Sequence, residues 1–264
     1  MCTVLLRYAP GARWPVLVAA VRDEFVGRAW DPPAAHWGGA LLGGRDRVAG
    51  GTWLAVDPTG VALAAVLNGV RLPPPEGGGR PSRGGLPLAA LRHEELPDHA
   101  RVRGYDGFHL VRAAPAGAQP EPVSGGGGHP RRPPGGVGVL SWDGQAIRER
   151  WLDPGDHVIV NRGPDAPDDP VVAHFLPLLA ATASPDPTGA RSTVDAWGDW
   201  VTLAAGDGLD PATPGALLVR REYAGRAYGT TSVSLVALAP GAVRYDFSGA
   251  PWARDAWQPV LQTE

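Results

Sequence analysis

Lysine is missing from these 264 residues: all 24 basic side chains are arginines. Cysteine and methionine occur once each, as Cys2 and Met1, and Asn68 and Asn161 are the only asparagines. With abundant Gly and Pro, the missing lysine points to a GC-rich coding bias rather than to function. Other shortages exclude more. A lone cysteine leaves no partner for an intramolecular disulfide and rules out a multi-cysteine metal or iron–sulfur site within this chain. The formal net charge of −3 offers no electrostatic basis for binding nucleic acid or an anionic membrane. No apolar run approaches the ~20 residues of a membrane-spanning helix, so no membrane insertion is expected. The opening residues lack a basic start followed by a long apolar run, which makes a cytoplasmic location the expectation. His36, His93, His99, His109, His129, His157 and His174 lie scattered without metal-ligand spacing, so no metal site is expected.

What is present begins at Cys2. Met1 reads as the initiator, and the small side chain after it favours removal by methionine aminopeptidase. The mature chain would then start with a cysteine that carries its own α-amine. An amine with pKa near ~8 beside a thiol near ~8.5 is a plausible proton acceptor at neutral pH. N-terminal nucleophiles work this way, the amine replacing the histidine of a triad. The alternative is a cysteine placed by accident in a fraying tail.

Short apolar runs alternate with turns along much of the chain. Residues 2–8 and 15–21 read as two strands, and residues 51–56 and 61–67 as a hairpin with apolar side chains on both faces, as in a sheet covered on both sides. Residues 86–91 are expected to be helical and 107–113 extended. The segment 115–136, which contains SGGGGHPRRPPGG, reads as an irregular connection. Strands follow at 137–140, 145–150 and 157–160, helices at 171–183 and 195–203, and a final strand pair at 226–238 and 243–247. The mixture lacks βαβ alternation, which argues for an α+β fold, read as one domain over residues 1–264.

Five segments carry a resemblance: MCTVLLRY, AAVRDEFVGRAWDPPAAHW, GGTWLAVDPTGVALAAVLN, PSRGGLPLAAL and YDGFHLV. In this order they resemble the transport and Golgi organisation 2 family, also called NRDE after its Asn-Arg-Asp-Glu motif. The likeness is strong over residues 1–110 and returns loosely at PGDHVIVN and AYGTTSVSLVAL. That family looks related to cysteine-type N-terminal-nucleophile (Ntn) hydrolases. The relationship implies a four-layer αββα sandwich of two mostly antiparallel sheets and an amidase acting on non-peptide C–N bonds.

Carried over by motif, the nucleophile falls on Cys2, and Arg22 and Asp23 orient it and its amine. Asn68 matches the first oxyanion-binding asparagine and Asn161 the second. Two positions depart from the pattern. Val21 stands where the motif begins with Asn, and Thr231 stands where a late arginine is expected, with Arg221 or Arg226 as nearby substitutes. Without the resemblance, Arg22-Asp23-Glu24 also reads as a solvated charge cluster, and both asparagines as ordinary turn residues. Trp30, Trp37 and Trp53 suit core packing or an apolar pocket. The expected ligand is a small-molecule amide, with no cofactor. The alternative, also drawn from the family, is a non-catalytic protein that binds and passes on a hydrophobic ligand such as haem.

Overall fold

Strand-forming alternation dominates the computed structural model, which describes residues 2–73, 79–116, 135–190, 192–253 and 256–263. Met1 and most of the Gly/Pro-rich segment near 115–136 lie outside the described residues. In chain order the elements are β1 (Cys2–Tyr8), β2 (Val16–Phe25), β3 (Trp30–Ala34), β4 (Leu42–Asp46), β5 (Leu54–Asp57), β6 (Ala62–Asn68), α1 (Leu86–Leu91), β7 (Phe108–Ala114), β8 (Gly136–Trp142) and β9 (Ile147–Trp151). There follow β10 (Gly155–Val160), β11 (Gly163–Pro164), α2 (Pro170–Ala181), α3 (Thr193–Trp197), α4 (Asp199–Ala204), β12 (Arg220–Tyr223), β13 (Arg226–Ala239), β14 (Ala242–Ser248) and β15 (Trp257–Gln262).

The strands form two sheets, each antiparallel in every pairing. One runs β11, β10, β1, β2, β13, β14, β15, with β12 alongside β13. The other runs β3 to β9 in sequence order. Because side chains alternate along a strand, β1 and β2 present two apolar faces. Val4, Leu6, Val16, Val18 and Ala20 meet Leu54, Leu63, Leu67 and Val111 of the second sheet. Leu5, Leu17, Ala19 and Val21 turn the other way and pack with Phe175, Trp197 and Trp200 from α2, α3 and α4. On the far side of the second sheet, Leu86, Leu88 and Leu91 of α1 cover Ala55, Ala64 and Leu110. The molecule is a two-sheet sandwich with helices on its outer faces.

Most expected strands are present with ends shifted by a few residues. The helix expected at 195–203 is divided: Gly198, with φ of 50°, ends α3 and starts α4 at a backbone angle that favours glycine. β3, β4, β12 and β15 were not anticipated. β3 contains Pro32 and Pro33, β4 contains Gly43 and Gly44, and β15 contains Pro259, residues that argue against a strand when read locally.

Candidate functional site

The parity that buries Val4 and Leu6 between the sheets also turns Cys2 toward the sandwich interior, at the open end of β1. Cys2 lies directly across from Arg22 on β2 in the strand register. On the other side of β2, β13 pairs Thr230 with Asp23 and Ser232 with Arg22, so Thr231 is the extra residue of a bulge. The ends of β1 and β2, the second sheet and residues 80–84 enclose a cleft of about 330 Å³, lined by Cys2, Arg22, Asp23, Trp53 and Asn68 among others.

Arg22 is only 4 % exposed and is fixed from three sides. Its Nη1 donates to Thr231 Oγ1 at 2.9 Å, its Nη2 lies 3.8 Å from Asp46 Oδ2, and its guanidinium centre stands 4.3 Å from the Trp53 ring centroid. The hydroxyl of Thr231 also donates to the Arg22 carbonyl at 3.3 Å. The threonine that departs from the expected arginine therefore holds Arg22 in place. Burial lowers the Arg22 pKa, while Cys2, Glu24 and Asp46 favour its charge.

Asp23 is buried, and its Oδ1 accepts from Thr230 Oγ1 at 2.7 Å. Burial raises its carboxyl to about 6, against the opposing pull of the N-terminal amine, the Thr230 hydroxyl, Arg221 and Arg22. The Asp23 backbone lies near enough to the Cys2 thiol to favour its ionised form. Burial pushes the thiol pKa up, outweighing the N-terminal amine and Arg22, which favour the thiolate. Arg22 favours the thiolate, yet the net effect is a thiol harder to ionise than usual. Such a group needs a base at hand.

Asn68, at the end of β6, lines the cleft, and its side chain is not engaged by another described residue. Asn161, just past β10, is absent from the lining but meets Cys2 from behind, since Cys2 N donates to its Oδ1 at 3.4 Å. Asn161 is anchored across the sandwich: its carbonyl accepts from His109 Nε2 at 3.1 Å, and His109 Nδ1 lies 2.8 Å from Ser141 Oγ. Burial lowers the His109 pKa, partly offset by that bond to Asn161. The neutral ring donates from Nε2 and accepts at Nδ1, so β7 and β8 steady an element of the opposite sheet.

Cys2, Arg22, Asp23 and Asn68 thus share one cleft, and Asn161 contacts Cys2. Arg221 contributes charge near Asp23, whereas Arg226 stacks 4.1 Å over the Phe25 ring and does not line the cleft. Val21 is 2 % exposed in the helix-side core, which accounts for an apolar residue there. Of the tryptophans, Trp53 lines the cleft, Trp30 packs edge-on against Trp53 and Phe247, and Trp37 bonds through Nε1 to the Gly50 carbonyl.

Sequence reasoning assigned no role to Arg28, Asp46, Arg80, Arg83 and Asp106, which also line the cleft. Arg83 lies in the SRG tripeptide, Ser82–Gly84. Among the described residues, no group of three or more His, Cys, Asp or Glu is placed to hold a metal ion, and no helix is long and apolar enough to cross a membrane. Comparison with curated proteins gives no significant match. Residues 1–121 match a protein-family model described as Transport and Golgi organisation 2.

Proposed function

We infer that this chain, whose residues 1–121 match the transport and Golgi organisation 2 family model, is an N-terminal-cysteine hydrolase. It cleaves a non-peptide amide C–N bond through an acyl-thioester intermediate. The observation that carries this reading is the set of groups meeting at Cys2. Arg22 lies opposite, Asp23 and Asn68 line the same cleft, and Asn161 Oδ1 is 3.4 Å from the backbone nitrogen. Removal of Met1 would turn that nitrogen into an α-amine with an acceptor already beside it.

The raised thiol pKa suits this scheme, because the proton must leave as the sulfur attacks, and the amine on the same residue can take it. The sulfur bonds to the amide carbonyl carbon and the carbonyl oxygen becomes an oxyanion. Asn68 donates to that oxyanion, a contact worth about 3–4 kcal/mol in comparable sites. The amine returns the proton to the leaving nitrogen as the C–N bond breaks. Water then cleaves the thioester, releasing a carboxylic acid and restoring the thiol. Asp23 and Asn161 orient the amine. Arg22 supplies positive charge beside the sulfur, and Thr231 holds it there.

The two-sheet sandwich with helices outside agrees with the N-terminal-nucleophile architecture that the resemblance implies. The charged lining favours a polar substrate over a flat apolar macrocycle such as haem. The test is an intact mass followed by incubation with a panel of N-acyl 4-nitroanilides and an acid quench. The expected result is a chain without Met1, an acyl increment on Cys2 and release of nitroaniline. In Cys2→Ala, turnover disappears while the melting temperature stays within a few degrees. A rate unchanged in Cys2→Ala would end the enzymatic reading.

A further inference from the structure

The charges of the cleft are unequally satisfied. Arg28 Nε meets Asp46 Oδ2 at 2.6 Å, and Arg80 Nε lies 3.1 Å from Asp106 Oδ1. Arg22 has Thr231 at 2.9 Å and Asp46 at 3.8 Å. Arg83 differs. Its Nη1 donates to the Gly107 carbonyl at 2.9 Å, and it forms no ion pair among the described residues. A guanidinium carries five N–H donors in a planar fork, so most of this one is free for a ligand.

The fork is also held in position. Arg83 opens a short 3₁₀ turn, Arg83–Gly85, in which Ser82 Oγ accepts from the Gly84 N–H. The Thr52 N–H donates to the Gly84 carbonyl at 2.8 Å, and Gly51 is so close that a Cβ there would come within 2.3 Å of the Gly84 carbonyl carbon. A fixed donor set costs a ligand less to engage than a mobile one. Burial lowers the Arg83 pKa, while Asp106, Cys2 and Glu24 lie near enough to favour its charge. The nucleophile and this under-compensated cation therefore face one cavity of about 330 Å³, room for a small molecule.

We propose that Arg83 is the carboxylate-binding residue of the cleft and that the substrate is a small amide carrying a carboxylate, which the Arg83 fork grips while the amide carbonyl meets Cys2 Sγ. The proposal rests on the reading of Cys2 as the nucleophile. Bidentate arginine–carboxylate contact supplies both affinity and orientation.

Iodoacetate and iodoacetamide test it directly, since they differ only by carboxylate against amide. Each forms a C–S bond with the single cysteine as iodide leaves. Rates are read by intact mass at one pH and ionic strength, with glutathione as the reference thiol. The iodoacetate-to-iodoacetamide ratio at Cys2 should exceed that of glutathione by about tenfold, the scale of one charge-assisted contact. Arg83→Gln should remove that excess while leaving the iodoacetamide rate within about twofold, and Arg83→Lys, with charge but no fork, should fall between. A wild-type ratio at or below that of glutathione overturns the proposal, and this outcome needs no variant to fold. A ratio that survives Arg83→Gln overturns it too, as does an equal loss of both rates. The same spectra report Met1: its retention would overturn the N-terminal-nucleophile reading while leaving the anion preference measured.

Discussion

At the scale of single residues, Asp23 connects chemistry to stability. Its carboxyl sits at about 6 in the fold against 3.8 ordinarily, because burial outweighs the amine, the Thr230 hydroxyl and the two arginines. A carboxyl raised in this way stabilises the fold fully below about pH 4, and that contribution is lost as pH climbs through the folded value. About two pKa units correspond to roughly 3 kcal/mol. Asp23→Asn should therefore match the wild type near pH 4 and exceed its stability at pH 8 by up to about 3 kcal/mol, while losing turnover. Urea denaturation at the two pH values checks this, and a difference that does not change with pH would show that the carboxyl titrates normally. The site retains a group that the fold would rather see neutral. That is the pattern of a residue kept for its chemistry.

At the scale of elements, the site depends on contacts between segments far apart in sequence. The Arg83–Gly85 turn packs on the approach to β5 through two glycines, leaving no space for a side chain. Gly51→Ala pushes a methyl group into the Gly84 backbone and should cost about 1–3 kcal/mol. It should also lower the iodoacetate preference by moving Arg83, with the iodoacetamide rate preserved. Thermal melts with the same alkylation pair decide it; an unchanged melting temperature would mean the turn yields without strain. This dependence explains what could be read in advance. The β1–β2 hairpin and its residues Cys2, Arg22 and Asp23 were legible, because alternation and a turn are local signals and the motif lies on one strand end. Asn68 and Asn161 were legible as the only asparagines, each at a strand end. Arg28, Asp46 and Arg83 were not, since only pairing across the sandwich gives them a role. Nor was the bulge at Thr231, a misfit between β2 and β13 that neither strand shows alone.

Over the whole molecule, groups with opposite shifts bracket a pH optimum. Both ring nitrogens of His157 meet oxygen acceptors, Asp165 Oδ2 at 2.8 Å and the Asp153 carbonyl at 2.9 Å, an arrangement that calls for the charged ring. Burial works to lower its pKa, but the bonds to Asp165 and Asp153 prevail and raise it above 6.5. Its contribution is complete below 6.5 and fades as pH rises through the folded value, the same direction as Asp23. Asp143, held at about 2 by the Ala146 and Gln145 N–H groups and Arg148, acts oppositely, as do Asp46 and Asp165. Their contributions are present above about pH 4 and fail as pH falls toward 2. The melting temperature should therefore peak between about pH 4 and 6 and decline toward 8, which a scan from pH 3 to 9 measures. A flat profile from 5 to 8 would contradict the assignments of Asp23 and His157. The pairing of β2 with β13 runs from Phe25 opposite Tyr228 to Val16 opposite Leu238, broken once at Thr231. In hydrogen exchange, amides from Val233 to Leu238 should be protected more strongly than that of Gly229, beyond the bulge, and equal protection would show that the bulge does not weaken the pairing. Arg22 pairs with Ser232 on the core side of this joint and Asp23 with Thr230 beyond it, so the one-residue misfit falls between the two neighbouring charged side chains that share the cleft with Cys2.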